Sequence, residues 1–421
     1  MVAKVFAMTS RNALKNPPTH PERRSLGEAL NGFDNALNFI RLVLASSVIV
    51  SHAFPLTGIA DPSGGYLEGL GGFAVNGFFI VSGYLIAASR VRMGLASYLW
   101  RRSLRIFPAF WTMLLLTGFV FAPLVTVLTA ESWTAEAGWA FVWKNALLRM
   151  NLWGVPGTLT QVPYPDVWNG SAWTLFYEFV AYLMVGGLLT LGWVQRRAMS
   201  AFAALFASIV IVQALAHGPL DVSNTLLLEA LRLGGYFVVG SLFYFARDHV
   251  PVSIWLGFTS AILLGLLVFL HQDWWFGQIP FAYLILWMGS TLTTRIGSRN
   301  DISYGIYIYA FPMQQFANLL VGVSWGWVGH SLLAFAMTLP LAVASWFCIE
   351  KPAMTLRRFV SGPGLSSRPQ APSASPAGLA GPQGDRRSRR HRCARRGQVG
   401  GSASTSASSR AVLTSREAGR P

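Results

Sequence analysis

Asn38-Phe39-Ile40-Arg41-Leu42-Val43-Leu44-Ala45-Ser46-Ser47-Val48-Ile49-Val50-Ser51-His52 is the stretch that decides the fold class. It is apolar enough to enter a bilayer as a helix, yet it holds an arginine near its start and a histidine at its end. At 100° per residue, Arg41 and His52 fall on one helix face, about 16 Å apart along the axis. Ionisable groups inside a membrane span are costly and normally face a protein interior or a watery cavity. Two readings stand at this point. In one, Arg41 snorkels to an interface and His52 is satisfied near the other. In the other, both are working groups inside a helical bundle.

Composition answers the broader question. Of 421 residues, 53% are hydrophobic and 12% charged, which is the balance of an all-α, polytopic membrane protein. The net charge of +16 invites a nucleic-acid reading. However, eleven arginines from residue 361 onward, against Asp385 and Glu417, concentrate nine of those charges in a terminal tail. No specific nucleic-acid partner is expected. Cys348 and Cys393 offer neither a disulfide framework nor a metal-ligand cluster, and no metal is expected. The first thirty residues lack an apolar core, so a cleaved signal peptide is not expected.

Apolar runs bounded by charges or Pro/Gly clusters predict about ten spans: 37–56, 72–89, 106–126, 171–191, 199–216, 224–245, 252–270, 279–294, 302–322 and 327–349. Segment 138–153 is apolar and aromatic, but Lys144 and Arg149 interrupt it, and it reads as interfacial or re-entrant. One set of loops carries Arg90, Arg92, Arg101, Arg102, Arg105, Arg196, Arg197, Arg247, Arg295, Arg299, Lys351, Arg357 and Arg358. The alternate short loops, His217–Ser223, His271–Gln278 and Ser324–Trp327, carry no Lys or Arg. The positive-inside rule therefore predicts both termini in the cytoplasm.

The expected organisation is a cytoplasmic segment over 1–34, a membrane domain over 35–355 and a basic tail over 356–421. The tail is rich in Ser, Pro, Gly, Ala and Arg. It is expected to be disordered and to attract anionic lipid headgroups. The outward loop 127–170 holds Trp133, Trp139, Trp143, Trp153, Tyr164 and Trp168. These read either as an interfacial aromatic belt or as a stacking surface for a sugar ring.

Few ionisable residues fall inside the spans: Arg41, His52, Glu178, Arg232 and, one turn before it, Glu229. Glu178 is expected about two turns into an outward-starting span, at the depth of His52. A histidine oriented by a carboxylate suits general-base or nucleophilic catalysis. The competing reading is a structural Glu178–Arg232 ion pair. Ser82 and Gly83 lie on a small-residue face suited to close helix packing or to a thin ligand arm. Arg101, Arg102 and Arg105 combine i,i+3 and i,i+4 spacing, a patch suited to polyphosphate or to anchoring the span.

Taken in order, Arg41-x10-His52, Phe78-Phe-x-x-Ser-Gly83, Arg102-x-x-Arg-Ile-x-Pro108, Trp173-Thr-Leu-x-x-Glu178, Ser303-Tyr-Gly-Ile-Tyr307 and Glu350-Lys-Pro352 make the chain resemble acyltransferase family 3. These are integral membrane acyltransferases that include O-acetylases of surface glycans. The resemblance covers roughly residues 34–355. It implies an acyl group, usually acetyl from cytoplasmic acetyl-CoA, passed to a hydroxyl of a carbohydrate or glycolipid at the outer face of the cell membrane. It implies that His52 is essential, that Arg41 supports it or the donor, and that Arg102 and Arg105 aid donor binding. Many members carry a histidine after the Ser-Tyr-Gly-x-Tyr segment, where this chain reads Tyr309-Ala310-Phe311-Pro312.

The resulting expectation is a membrane O-acyltransferase with His52, Arg41 and Glu178 as catalytic residues. Arg101, Arg102, Arg105, Ser82 and Gly83 would hold the donor. A transporter using His52, Glu178 and Arg232 as a relay is the rival class. Neither the acceptor nor the oligomeric state is legible in the sequence.

Overall fold

The computed structural model describes residues 24–32, 35–322 and 324–360. Most of the 1–34 segment and the basic tail from 361 lie outside the described residues. Helix α1 is Leu26–Ala29, capped by a reciprocal Ser25–Glu28 box. It is followed by α2 (Leu37–Thr57), α3 (Tyr66–Arg92), α4 (Leu95–Leu128), α5 (Ala135–Asn145), α6 (Thr174–Leu188) and α7 (Gly192–Arg196). The remainder are α8 (Ala198–His217), α9 (Thr225–Ala246), α10 (Ile254–Phe269), α11 (Asp273–Phe276), α12 (Gln278–Thr291), α13 (Ser303–Val321) and α14 (Gly326–Phe359). Among the described residues there is no strand, only an isolated bridge between Ser25 and Pro251.

Six of these helices, α2, α3, α4, α8, α9 and α14, are long and apolar enough to cross a membrane. The chain is an all-α polytopic membrane protein. The other four expected spans coincide with α6, α10, α12 and α13, of which α6, α10 and α12 are 15, 16 and 14 residues long.

The bundle centres on α2, which packs against α3, α13 and α14. Side-chain amides fasten it to α13: Gln314 Nε2 donates to the Ile49 carbonyl at 2.8 Å, and Asn318 Nδ2 to the Leu56 carbonyl at 2.7 Å. Helix α3 makes its broadest contact with α9. There the backbones nearly touch. A Cβ at Gly83 would lie 2.0 Å from the Phe237 carbonyl oxygen, and one at Gly240 would lie 2.1 Å from the Ile80 carbonyl oxygen. Gly83 is thus a helix-crossing residue. Gly83→Ala is expected to cost about 1–3 kcal/mol by overpacking, read as a lower thermal midpoint in detergent. Gly187→Ala, which meets no atom within 4 Å, is the matched control and should not lower it.

Between α5 and α6 the chain does not stay at the surface. Pro312 lacks an N–H, so the Ile308 carbonyl one turn back has no intrahelical donor. Asn169 reaches it with Nδ2 at 2.9 Å, while its Oδ1 accepts from the Ser171 and Ala172 amides. Tyr307 donates to the Ser171 carbonyl at 2.7 Å. Gln315 Nε2 holds the Tyr164 and Val167 carbonyls. Trp168 is fully buried and bonds Thr158. Irregular backbone inside a bundle is possible because protein groups answer it in this way.

Candidate active site

The descending 146–173 segment determines where α6 begins, and so where Glu178 lies. Helix α6 starts at Thr174, whose hydroxyl is 2.6 Å from that of Tyr307, one turn into α13. Glu178, a further turn on, accepts hydrogen bonds from Ser82 Oγ at 2.5 Å and Tyr182 OH at 2.6 Å. It lines a small cavity, about 30 Å³, together with Arg41, Phe78, Tyr304 and Tyr307. The expected orienting contact from Glu178 to His52 is not formed: His52 Nδ1 has no partner, and Glu178 bonds Ser82 and Tyr182 instead. The preceding loop carries α6 inward, and Glu178 shares its cavity with Arg41.

His52 opens onto a separate cavity of about 150 Å³, with Ser51, Gly72, Trp173, Thr174, Tyr307 and Arg232 among its walls. Its Nδ1 is buried without a hydrogen-bond partner, and its ring meets Phe311 edge-on at 5.3 Å. Phe311 thus occupies, against the histidine, the segment where a second histidine is absent. Arg232 is the charged residue that shares His52's space. Its guanidinium is held by Glu229 Oε2 at 2.5 and 2.9 Å and by Asn76 Oδ1 at 2.7 Å. Neither the Glu178–Arg232 pair nor a His52–Glu178–Arg232 relay has the contacts it needs.

At the Arg41 end, charges gather that the sequence did not bring together. Asp301, just before α13, pairs with Arg41 and, at 2.6 Å, with Arg105. Arg105 also pairs with Glu350 at 2.9 Å. Glu350 ends a π-helical turn, Trp346–Glu350, in α14, a feature common at functional sites because it redirects side chains. Ser303 bonds the second Asp301 oxygen through its amide and hydroxyl. Burial pushes the Asp301 carboxyl up, but Arg41, Arg105 and the Ser303 bonds outweigh it and hold it down at about 2.

Of the three expected phosphate-binding arginines, Arg105 is thus already occupied by two carboxylates. Arg102 reaches Ser89 Oγ at 3.0 Å and keeps a buried Nε without a partner, as does Arg101. A neutralised guanidinium pulls less strongly on a phosphate than one without a carboxylate partner. Asp301 went unnoticed in the sequence. Its only signal was a lone carboxylate two residues ahead of the Ser303-Tyr-Gly motif.

The spaces adjoin in series. The Arg41 cavity and the His52 cavity share Val75, Thr174 and Tyr307 as walls. Trp173 is common to the His52 cavity and an open groove of about 420 Å³ formed by the 146–173 segment, α6 and the start of α9. The His52 cavity thus lies between the Arg41–Glu178 cavity and the aromatic groove.

Residues 34–347 match the acyltransferase domain family. The chain is 28% identical over 342 residues to the O-acetyl transferase of Shigella phage Sf6, an alignment spanning 77% of this chain and 96% of that protein. It is also 28% identical over 365 residues to nodulation protein 10 of Rhizobium leguminosarum bv. viciae, spanning 78% and 96% respectively. No solved structure matches significantly. With most of its length and its bundle of apolar helices accounted for by that one match, the chain belongs to acyltransferase family 3 and is a multi-pass membrane acyltransferase.

Proposed function

We propose that the protein is an O-acetyltransferase of the inner or plasma membrane, with ten spans and both termini in the cytoplasm. It moves an acetyl group from cytoplasmic acetyl-CoA to a hydroxyl of a cell-surface or exported carbohydrate. The observation that carries this reading is the series of adjoining cavities from Arg41 past His52 to the aromatic groove. Arg101 and Arg102 hold the donor phosphates, as guanidiniums do. Arg41, steadied by Asp301, guards the narrow space through which the thioester arm passes between Ser82–Glu178 and Tyr304.

At His52 the acceptor hydroxyl gives its proton to the imidazole as its oxygen attacks the thioester carbonyl. A C–O bond forms, the C–S bond breaks, and the departing thiolate recovers that proton. The products are an acetyl ester and free CoA. The likeness to a phage protein named O-acetyl transferase supports the acetyl donor.

The test compares a deletion strain with its parent for ester-linked acetyl across surface glycan fractions by mass spectrometry. One fraction should lose its acetyl esters. Unchanged esters in every fraction, together with purified protein that does not consume acetyl-CoA, would overturn the reading.

A further inference from the structure

The open groove is larger than either buried cavity. Its walls combine Trp153, Trp173, Phe176 and Tyr177 with two charged groups, Arg149 and Glu229. Trp153 is 42% exposed, so its ring is available to a ligand. Trp173 and Tyr177 meet at right angles with centroids 5.5 Å apart, which makes a rigid corner. Tyr177 also donates to the Leu226 carbonyl at 3.4 Å, tying α6 to α9 along the groove.

Two further features single this groove out. First, the residue before its wall residue Arg149 is buried Leu148, whose backbone sits at φ 69°. A bulky side chain rarely adopts that conformation, and such strain clusters at ligand-binding sites. Second, Glu229 faces the groove while its Oε2 holds Arg232, which lines the His52 cavity. One ion pair therefore touches both spaces.

A lipid tail would fit the apolar walls but would strip water from the Arg149 guanidinium without answering it. A sugar ring presents C–H faces to aromatic rings and hydroxyls to charged groups, matching both kinds of wall.

We propose that this groove is the acceptor subsite, seating a pyranose ring of an exported glycan against Trp153 and Tyr177, with its reacting hydroxyl directed past Trp173 towards His52. The assignment rests on the acetyltransferase reading above and deepens it. Glu229 takes a ring hydroxyl and, through Arg232, keeps the passage to His52 open.

The experiment uses full-length protein in lipid vesicles, acetyl-CoA, and surface polysaccharide purified from the deletion strain. Trp153→Ala is expected to raise the KM for polysaccharide about tenfold while leaving the KM for acetyl-CoA unchanged. Trp153→Phe should recover most of the loss. Trp143→Ala, which removes an exposed tryptophan outside the groove, should behave as wild type. An unchanged polysaccharide KM in Trp153→Ala, or equal effects from Trp143→Ala, would overturn the groove assignment alone. A lipid acyl chain cross-linking to the groove and not displaced by polysaccharide would also overturn it. Wild-type protein that transfers no acetyl overturns the underlying reading as well.

Discussion

His52→Ala protein is expected to transfer acetyl from acetyl-CoA about a thousandfold more slowly than wild type, with the KM for acetyl-CoA nearly unchanged. Removing a general base from a well-formed site costs between about a hundredfold and ten-thousandfold. His52 lies three turns from Arg41 and borders a cavity separate from the Arg41 cavity, so donor binding should survive its loss. Its ring already faces open space, and the variant should therefore keep a near-normal thermal midpoint in detergent. Steady-state kinetics with labelled acetyl-CoA provide the check. Transfer at the wild-type rate would remove His52 from the mechanism.

The largest stability effect is expected at Asp301. In Asp301→Asn, Arg41 and Arg105 face a neutral amide while remaining inside the bundle, where the Asp301 side chain is only 13% exposed. Removing one partner of such a buried network costs about 3 kcal/mol or more, equivalent to a thermal midpoint lower by about 5 °C. The effect carries a pH signature. The folded carboxyl sits at about 2, below its ordinary 3.8. Its contribution is therefore complete above the unfolded value and is lost as pH falls through the folded one. The gap between wild type and Asp301→Asn should be full at neutral pH and close as pH falls from about 4 towards 2. Parallel midpoints across that range would remove Asp301 from the network.

Much of this was legible in the chain itself. Each expected apolar run coincides with a helix, six of them long and apolar enough to cross a membrane, because a helix that meets lipid must be apolar over its length. The 3.6-residue period placed Arg41 and His52 on one face, and both line cavities in the bundle. What could not be read was depth and partnership between distant segments. Counting turns from Ser171 suggested that Glu178 orients His52, because nothing local says that Glu178 lines the Arg41 cavity instead. Gly83 looked equally suited to a ligand or a helix, since a missing Cβ does not announce what fills its space. Asp301 sits in a loop, and only the folded chain brings it to Arg41 and Arg105, respectively 260 and 196 residues away. The spacing of Arg101, Arg102 and Arg105 could not tell which guanidinium is already paired with carboxylates, as Arg105 is.

The bond between Asn169 and the Ile308 carbonyl has a consequence for how the molecule is put together. Pro312 leaves α13 with a bare carbonyl, and in hydrocarbon such a group costs several kcal/mol. As α13 enters the membrane, that debt stays open until the segment ahead of α6 threads inward and Asn169 arrives. This bond can therefore form only once α13 is in place to receive the segment. The same step completes the walls of the His52 cavity through Gly170, Ser171 and Trp173. The contact that satisfies the Ile308 carbonyl thus also closes the chamber around His52.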